Sequence, residues 1–139
     1  MAVMFNAPEG RFFVGESGTE VLFRLIRTAI MGTQAEKVFS STAEHPATRS
    51  AAAKWSQTMG KAHAYIHHDD ATGAVGAEMQ TSPVMGMDVA GVSMRNCAVD
   101  PNAYMIVDGI QHAAHGQLDI ASYEIDGNVV SPCKVFSRH

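Results

Sequence analysis

The first third of the chain carries apolar residues at the three- and four-residue spacing of a helix with one buried face. Ser17 or Thr19 can cap this helix. The apolar positions that fall on its buried face are Val21, Leu22, Leu25, Ile26, Ala29 and Ile30. The pattern predicts a helix that begins near residue 17 and packs against a core.

Gly32 weakens that helix, because glycine is a poor helix former. Thr33 and Glu36 follow with the spacing of a capping box, which is typical of a new helix start. We therefore expect a kink or a restart near Gly32, with Val38 and Phe39 continuing the buried side.

A second helix is predicted to begin at Pro46, since proline is well tolerated in a first helical turn. Its small-residue face consists of Ala51, Ala52, Trp55, Met59, Ala62 and Ile66. Gly60 lies on the opposite side, where it either permits close approach of another backbone or marks the point where the helix fails. Leu22, Leu25, Ile26, Trp55, Met59 and Ile66 are the expected core.

The apolar period then changes from about four residues to two, which is typical of strands. Short segments rich in β-branched or aromatic residues are separated by Gly, Pro, Asn and Asp, at 73–81, 86–94, 103–109, 117–125 and 128–136. Asp126 and Gly127 favour a tight hairpin turn between the last two. The order of helices followed by strands predicts an α+β fold, with N-terminal helices packed on one face of a curled antiparallel β-meander of about five or six strands.

No repeat or linker divides the sequence, so we expect a single domain over residues 1–139. The helical layer would span about 17–62 and the antiparallel sheet about 64–137.

Three of the seven histidines lie in residues 63–70, for which three interpretations compete. On a continued helix, His63 and His67 would share a face and could bind a transition metal, with His68 as a further candidate ligand. Alternatively, the histidines line a catalytic pocket. The interpretation we adopt is a β-hairpin over 64–79 with its turn near 70–73, because two aspartates would oppose the dipole at a helix end.

A second pair, His112 and His115, lies between Asp108 and Asp119 in sequence. The pair could coordinate a metal, or one histidine could act as a general base oriented by a carboxylate such as Asp119. The alternative, which we favour, is an exposed loop or single helical turn between strands. Nucleotide-binding glycine motifs, the G-x-S-x-G motif and C-x-x-C are absent from the sequence.

The charged fraction is 17%, below the value of about 25% that is usual for soluble proteins. Residues 1–62 hold seven lysines and arginines against five acids, whereas residues 63–139 hold three against nine. No concentrated basic patch exists, which disfavours nucleic-acid binding. Low charge and this asymmetry instead favour self-association as a homo-oligomer.

No apolar run long enough for a transmembrane helix and no signal peptide is visible, so a cytoplasmic location without membrane association is expected by default. Cys97 and Cys133 could pair across a sheet, but buried free thiols are the interpretation we adopt.

These observations support three hypotheses of function. The first is a non-enzymatic, self-associating structural or interaction protein without a cofactor. The second is a small enzyme in which a helix-backed, cone-like α+β fold encloses a pocket with His and Asp acid–base chemistry. The third is a domain that binds a metal through its histidines.

Overall fold

The computed structural model describes residues 3–42, 44–67, 104–110, 113 and 119–136. Its helices and strands, in chain order, are α1 (Gly18–Gly32), β1 (Lys37–Ser41), α2 (Pro46–Thr58), β2 (Ala62–Ile66), β3 (Ile106–Asp108), β4 (Gly127–Val129) and α3 (Pro132–Phe136). Within these residues β1 pairs with β2 and β3 pairs with β4, and both pairs are parallel.

Helix α1 confirms the first predicted helix and its cap. Ser17 is in the extended conformation, and its hydroxyl accepts a hydrogen bond from the Glu20 backbone N–H at 3.1 Å. Leu22, Ile26 and Ile30 form the buried face. The helix ends at Thr33, which is also extended.

The expected helix restart after Gly32 is wrong. The Thr33 hydroxyl accepts a hydrogen bond from the Ala35 backbone N–H, and the chain then extends into β1. Val38 is fully buried as predicted, but on a strand. A β-branched residue beside an aromatic residue fits a strand better than a helix, and this preference outweighs the capping-box spacing.

Helix α2 begins as predicted, with Pro46 in its first turn after an N-cap at His45. It ends earlier than expected. Met59 is the C-cap, and Gly60 takes a φ of +66°, which is cheap only for glycine. Gly60 therefore marks the point where the helix fails, and residues Ala62–Ile66 form β2 instead of a last helical turn.

The predicted antiparallel meander is wrong. Strands β1 and β2 run in register from Lys37 opposite Ala62 to Ser41 opposite Ile66, joined by α2 as a crossover helix. Parallel strands need such a crossover because a tight turn can join only antiparallel neighbours. Strands β1 and β2 thus form a parallel pair in a β–α–β arrangement.

The expected hairpin at Asp126 is also wrong. Gly127 begins β4, which is parallel to β3, from Ile106 opposite Gly127 to Asp108 opposite Val129. The Asp126 carboxylate accepts a hydrogen bond from the Met105 backbone N–H at 2.7 Å. Asp126 therefore bonds to a residue 21 positions earlier in the chain and does not form the predicted hairpin turn. Of the hairpin proposed over 64–79, residues 68–79 lie outside the described residues.

Two apolar clusters lie on either side of β3, because Ile106 and Val107 point to opposite faces. The first cluster, which we call the helix-covered layer, consists of Leu22, Ile26, Ile30, Val38, Ala51, Ala52, Ile106 and Val129. The second consists of Phe5, Ile66, Met105, Val107, Ala113 and Ile125. Burial of both faces is typical of a parallel sheet.

Half of the predicted core is fully buried. Leu22, Ile26 and Ile66 are 8% exposed or less. Leu25, Trp55 and Met59 are partly buried and pack against the helix-covered layer. Two cations lie over the Trp55 ring, the Arg27 guanidinium at 5.1 Å and the Lys54 amine at 5.3 Å from its centroid, and their attraction to the ring favours its half-buried position. None of the described helices is long and apolar enough to cross a membrane.

Candidate functional site

The carboxyl ends of the described strands meet at one edge of the molecule, which we call the carboxyl edge. Strand β3 ends at Asp108 and β4 ends at Val129, and the Gly109 backbone N–H donates to the Val129 carbonyl at 2.9 Å. Helix α2 starts just after the carboxyl end of β1. In open α/β folds, ligands bind at this edge.

Asp108 is the buried charge of the carboxyl edge, with only 2% of its surface exposed. Its Oδ2 accepts a hydrogen bond from the Thr48 hydroxyl at 3.0 Å, and its Oδ1 accepts one from the Ile110 backbone N–H at 3.3 Å. Both donors are neutral. Across the described residues the only ion pair joins Arg24 to Glu20, so Asp108 has no cationic partner there.

A buried carboxylate without a cation is costly, since burial removes it from water. Its two oxygens offer about four acceptor positions, of which two are used. Asp108 can therefore accept a hydrogen bond from a cationic N–H group of a ligand.

The start of α2 brings an imidazole to the same edge. His45 is the N-cap, and its Nδ1 accepts a hydrogen bond from the Ala47 backbone N–H at 3.2 Å. The His45 carbonyl accepts from the Thr48 backbone N–H at 3.0 Å, which places the exposed His45 ring one turn from the residue that contacts Asp108. A planar ligand ring could stack on this imidazole.

The start of α1 lies next to the loop that follows Asp108. A methyl group added to Gly18 would meet the end of the Ile110 side chain, so this side chain lies directly against the start of the helix. The first backbone N–H groups of a helix and its dipole favour anions, phosphate in particular. Residues 17–19 could therefore hold an anionic group beside Asp108.

Lys134 supplies an amine on the segment that leaves the carboxyl end of β4. It lies in α3 and is exposed, with its backbone N–H bonded to the Ser131 carbonyl at 3.0 Å. Cys133 beside it is an exposed free thiol, 2.9 Å from the Ser131 hydroxyl. The expectation that Cys133 is a buried thiol is thus wrong, and Cys97 lies outside the described residues.

The other three lysines lie elsewhere. Lys37 begins β1 at the opposite edge, and Lys54 lies over the Trp55 ring. Lys61 donates its amine to the Thr33 carbonyl at the end of α1, just before β2. Lys134 is therefore the lysine that follows a strand at the carboxyl edge.

His63 lies on β2 and His67 directly follows this strand, so the two histidines are not on the helix that the metal interpretation assumed. His63 lies on β2 with its Nε2 3.0 Å from the Ser40 hydroxyl, and its ring packs edge-on against Tyr65. Burial lowers the pKa of His63 from its ordinary value. His67 is exposed, His68 lies outside the described residues, and no group of three metal-binding side chains occurs where the structure is described.

Asp119 organises a turn on the surface. Its carboxylate accepts hydrogen bonds from the Ser122 backbone N–H at 2.9 Å, the Ser122 hydroxyl at 2.8 Å and the Asn6 side chain at 2.8 Å. The bond from the Ser122 backbone, followed by those from the two side chains, lowers the pKa of Asp119. These three bonds fix the conformation of its side chain. His112 and His115 lie outside the described residues.

The sequence did contain a signal for the carboxyl edge. Asp108 directly follows the buried run Met105 to Val107 and precedes a glycine, which is the pattern of an acid at the end of a buried parallel strand. The antiparallel assignment gave Asp108 no role beyond proximity to His112 and left Lys134 and Thr48 without one. With parallel strands, Asp108 and the segment leading to Lys134 leave the sheet at one edge.

No protein-family model matches the chain, and no curated protein sequence matches it significantly. Solved structures do match. The apo structure of a cysteine desulfurase from Thermococcus onnurineus NA1 has a TM-score of 0.79 at 15% identity. The match covers 96% of this chain and 37% of the desulfurase chain. A NifS-like protein has a TM-score of 0.77 at 15% identity, and the match covers 96% of this chain and 41% of the NifS-like chain.

Structures of C-DES, a cystine C–S lyase, are also similar. Its complex with the reaction product cysteine persulfide has a TM-score of 0.69 at 18% identity, covering 99% of this chain and 41% of that one. A lysine-to-alanine mutant of C-DES, with glycine covalently linked to the PLP cofactor, has a TM-score of 0.72 at 16% identity. The complex of SepCysS with the N-terminal domain of SepCysE has a TM-score of 0.64 at 11% identity.

This similarity shows that the chain has the fold found in cysteine desulfurases and C-DES, and that it spans about two-fifths of their length. The hypothesis of a non-enzymatic structural protein is wrong, because the shared fold is one of enzymes. The cone-like α+β fold of the second hypothesis is also wrong, because the described strands form parallel pairs.

Proposed function

We propose that the chain forms the cofactor-binding part of an enzyme that uses pyridoxal 5′-phosphate (PLP) and acts on a small sulfur-containing amino acid. The buried Asp108, whose partners among the described residues are all neutral, carries this proposal. The fold supports it, because a similar structure holds PLP.

The residues of the carboxyl edge fit the groups of PLP. Enzymes hold this cofactor through a lysine Schiff base and an acid at the pyridinium nitrogen. Lys134 supplies the amine and Asp108 the buried acid. The start of α1 would bind the phosphate, and the His45 ring would pack against the pyridine ring.

When bound, PLP acts as an electron sink for a carbanion next to the amino group of the substrate. Asp108 would keep the ring nitrogen protonated by accepting its N–H, so that the ring can draw electrons. Lys134 would hold the cofactor in place. Its amine, once free, could move the proton at the substrate α-carbon, since a lysine amine within reach of that carbon can act as a general base.

The substrate class follows from the similar proteins. Cysteine desulfurase and a cystine C–S lyase both act at the sulfur of a cysteine-derived amino acid. We therefore infer that L-cysteine or L-cystine is the substrate. Incubation of the PLP-loaded protein with L-cysteine and an added thiol should give alanine and a persulfide on that thiol by desulfuration. Incubation with L-cystine should give pyruvate, ammonia and cysteine persulfide by elimination. Failure to release either product would reject this substrate class.

The cofactor proposal is tested by the affinity of the protein for PLP, measured from the change in PLP absorbance. We expect Lys134→Ala to lose the absorbance change that marks covalent attachment. The matched control, Lys37→Ala, removes an exposed lysine at the opposite edge and should bind PLP as the wild type does. Equal binding by both variants, or none by the wild type, would contradict the proposal.

We also propose that the protein self-associates and that its location is cytoplasmic. Phe12, Phe13 and Val14 form an apolar run that is 52%, 83% and 97% exposed, and exposed apolar patches are typical of interaction surfaces. Phe13→Ser should then lower the mass in dilute solution, as measured by sedimentation. A wild type that is monomeric at all concentrations would contradict self-association.

A further inference from the structure

Thr48, in the first turn of α2, differs from three other hydroxyl residues of the two long helices. Thr28, Ser56 and Thr58 each donate to the carbonyl four residues earlier, which is the usual bond for a hydroxyl inside a helix. Thr48 instead donates to Asp108, 60 residues away in sequence. Its hydroxyl therefore forms a hydrogen bond at the carboxyl edge and not within its own helix.

The bond is buried at both ends. Thr48 is 1% exposed and Asp108 is 2% exposed. The β-branched side chain of threonine has few rotamers in a helix, so a buried Thr48 presents its hydroxyl in a fixed direction. The donor is therefore held by packing before any ligand arrives.

Two different elements hold the two oxygens of Asp108. Thr48 on α2 donates to Oδ2 at 3.0 Å, and the Ile110 backbone in the following loop donates to Oδ1 at 3.3 Å. The second bond is longer than the usual range for N–H donors, so Thr48 is the stronger of the two anchors. Together the two bonds fix the plane of the carboxylate.

We propose that Thr48 is a positioning residue for the cofactor: its hydroxyl holds Asp108 in the orientation that accepts the N–H of the PLP ring. The inference rests on the proposed function. It predicts that PLP affinity and the protonation of the ring nitrogen depend on the hydrogen-bond donor at position 48 and not on the shape of that side chain.

A graded series of substitutions separates donor strength from shape. Thr48→Ser keeps the hydroxyl, Thr48→Cys offers a weak thiol donor, and Thr48→Val keeps the shape without a donor. Thr28→Val is the control, because Thr28 is an exposed threonine on α1 that bonds only within its helix.

The first readout is the dissociation constant for PLP. Leaving a buried charged acceptor without its donor should weaken binding about tenfold in Thr48→Val. Thr48→Ser should stay within about threefold of the wild type, Thr48→Cys should lie between the two, and Thr28→Val should be unchanged.

The second readout is the ¹⁵N chemical shift of the ring nitrogen in bound, labelled PLP, which reports its protonation. We expect the shift to move toward that of neutral pyridine in Thr48→Val and to return in Thr48→Ser. A purely structural role for Thr48 would lower the unfolding temperature without moving this shift. Should Thr48→Val fail to fold, a wild-type shift in Thr48→Cys overturns the proposal and an intermediate shift supports it.

The two proposals fail in different ways. If the wild type binds PLP but affinity and ring-nitrogen shift do not follow the donor at position 48, the positioning role is wrong and the proposed function stands. If the wild type does not bind PLP at all, the proposed function is wrong and the role of Thr48 in cofactor binding falls with it.

Discussion

The helix-covered layer and the carboxyl edge are built from the same elements but bury different chemistry. In the layer, α1 and α2 cover β1, β3 and β4 with apolar side chains such as Ile26, Val38 and Ile106. At the edge, the same strand β3 ends in a buried carboxylate, Asp108, held by a buried hydroxyl from α2.

Each region therefore has its own energetic role. Burial of apolar surface in the layer stabilises the fold in proportion to the area removed from water. Asp108 has no cationic partner in the described part of the chain, so its burial costs free energy that a cationic ligand group would offset. Stability should be sensitive to changes in the layer, and cofactor binding should be sensitive to changes at the edge.

The largest expected effect on stability is that of Ile26→Ala. Ile26 is 1% exposed in the centre of the layer, so its truncation should lower the free energy of unfolding by about 3–4 kcal/mol through lost burial and a cavity. Denaturant titration measures this change. Met31→Ala, at an exposed position on the same helix, is the control and should cost less than about 1 kcal/mol. An equal loss of unfolding free energy in both variants would contradict the claim that the helix-covered layer stabilises the fold.

Asp108→Asn should have little effect on stability and a large effect on PLP binding, the reverse of Ile26→Ala. The amide keeps the shape and can still bond to Thr48, so the free energy of unfolding should change by less than about 1 kcal/mol or rise. The affinity for PLP should fall about 10- to 100-fold, because a charge-assisted bond is lost. Denaturant titration and PLP titration of one preparation test both halves. A large loss of stability with unchanged PLP binding would show that Asp108 belongs to the fold alone.

A smaller effect should come from His63, which lies in neither region. Burial lowers its pKa below 6.5, so the folded state prefers the neutral ring. Between the folded and unfolded pKa values the unfolded state binds more protons, so stability is highest above 6.5 and falls as pH drops through this window. An NMR titration of the ring gives the pKa, and His63→Gln should flatten this part of the stability profile. A measured pKa at or above 6.5 would contradict the burial of the ring.

Local patterns predicted the elements that depend on local chemistry. The three- and four-residue spacing, the Ser17 cap, Pro46 and Gly60 located most of α1 and α2 correctly. All of these signals act within one or two turns of the chain.

The strands could not be assigned in the same way. Strands β1 and β2 are five residues each, too short for a period to separate strand from helix, and their pairing joins residues 25 apart. At Asp126 a local turn signal was outweighed by a bond to the Met105 backbone. The topology, and with it the site, depends on contacts that a local pattern does not contain.

The site was therefore predicted only in part. The sequence alone associates Asp108 only with the nearby His112 and His115. The bond from Thr48 and the position of Lys134 after a parallel strand both follow from the order and direction of the strands.

The central claim is that the carboxyl edge binds PLP through Lys134, and reductive trapping tests it most directly. The purified protein is incubated with PLP, treated with borohydride to make the lysine linkage permanent, digested, and analysed by mass spectrometry of its peptides. We predict one reduced cofactor per chain, located on Lys134. No adduct on the wild type, or adducts spread over Lys37, Lys54 and Lys61 with Lys134 unmodified, would contradict the claim.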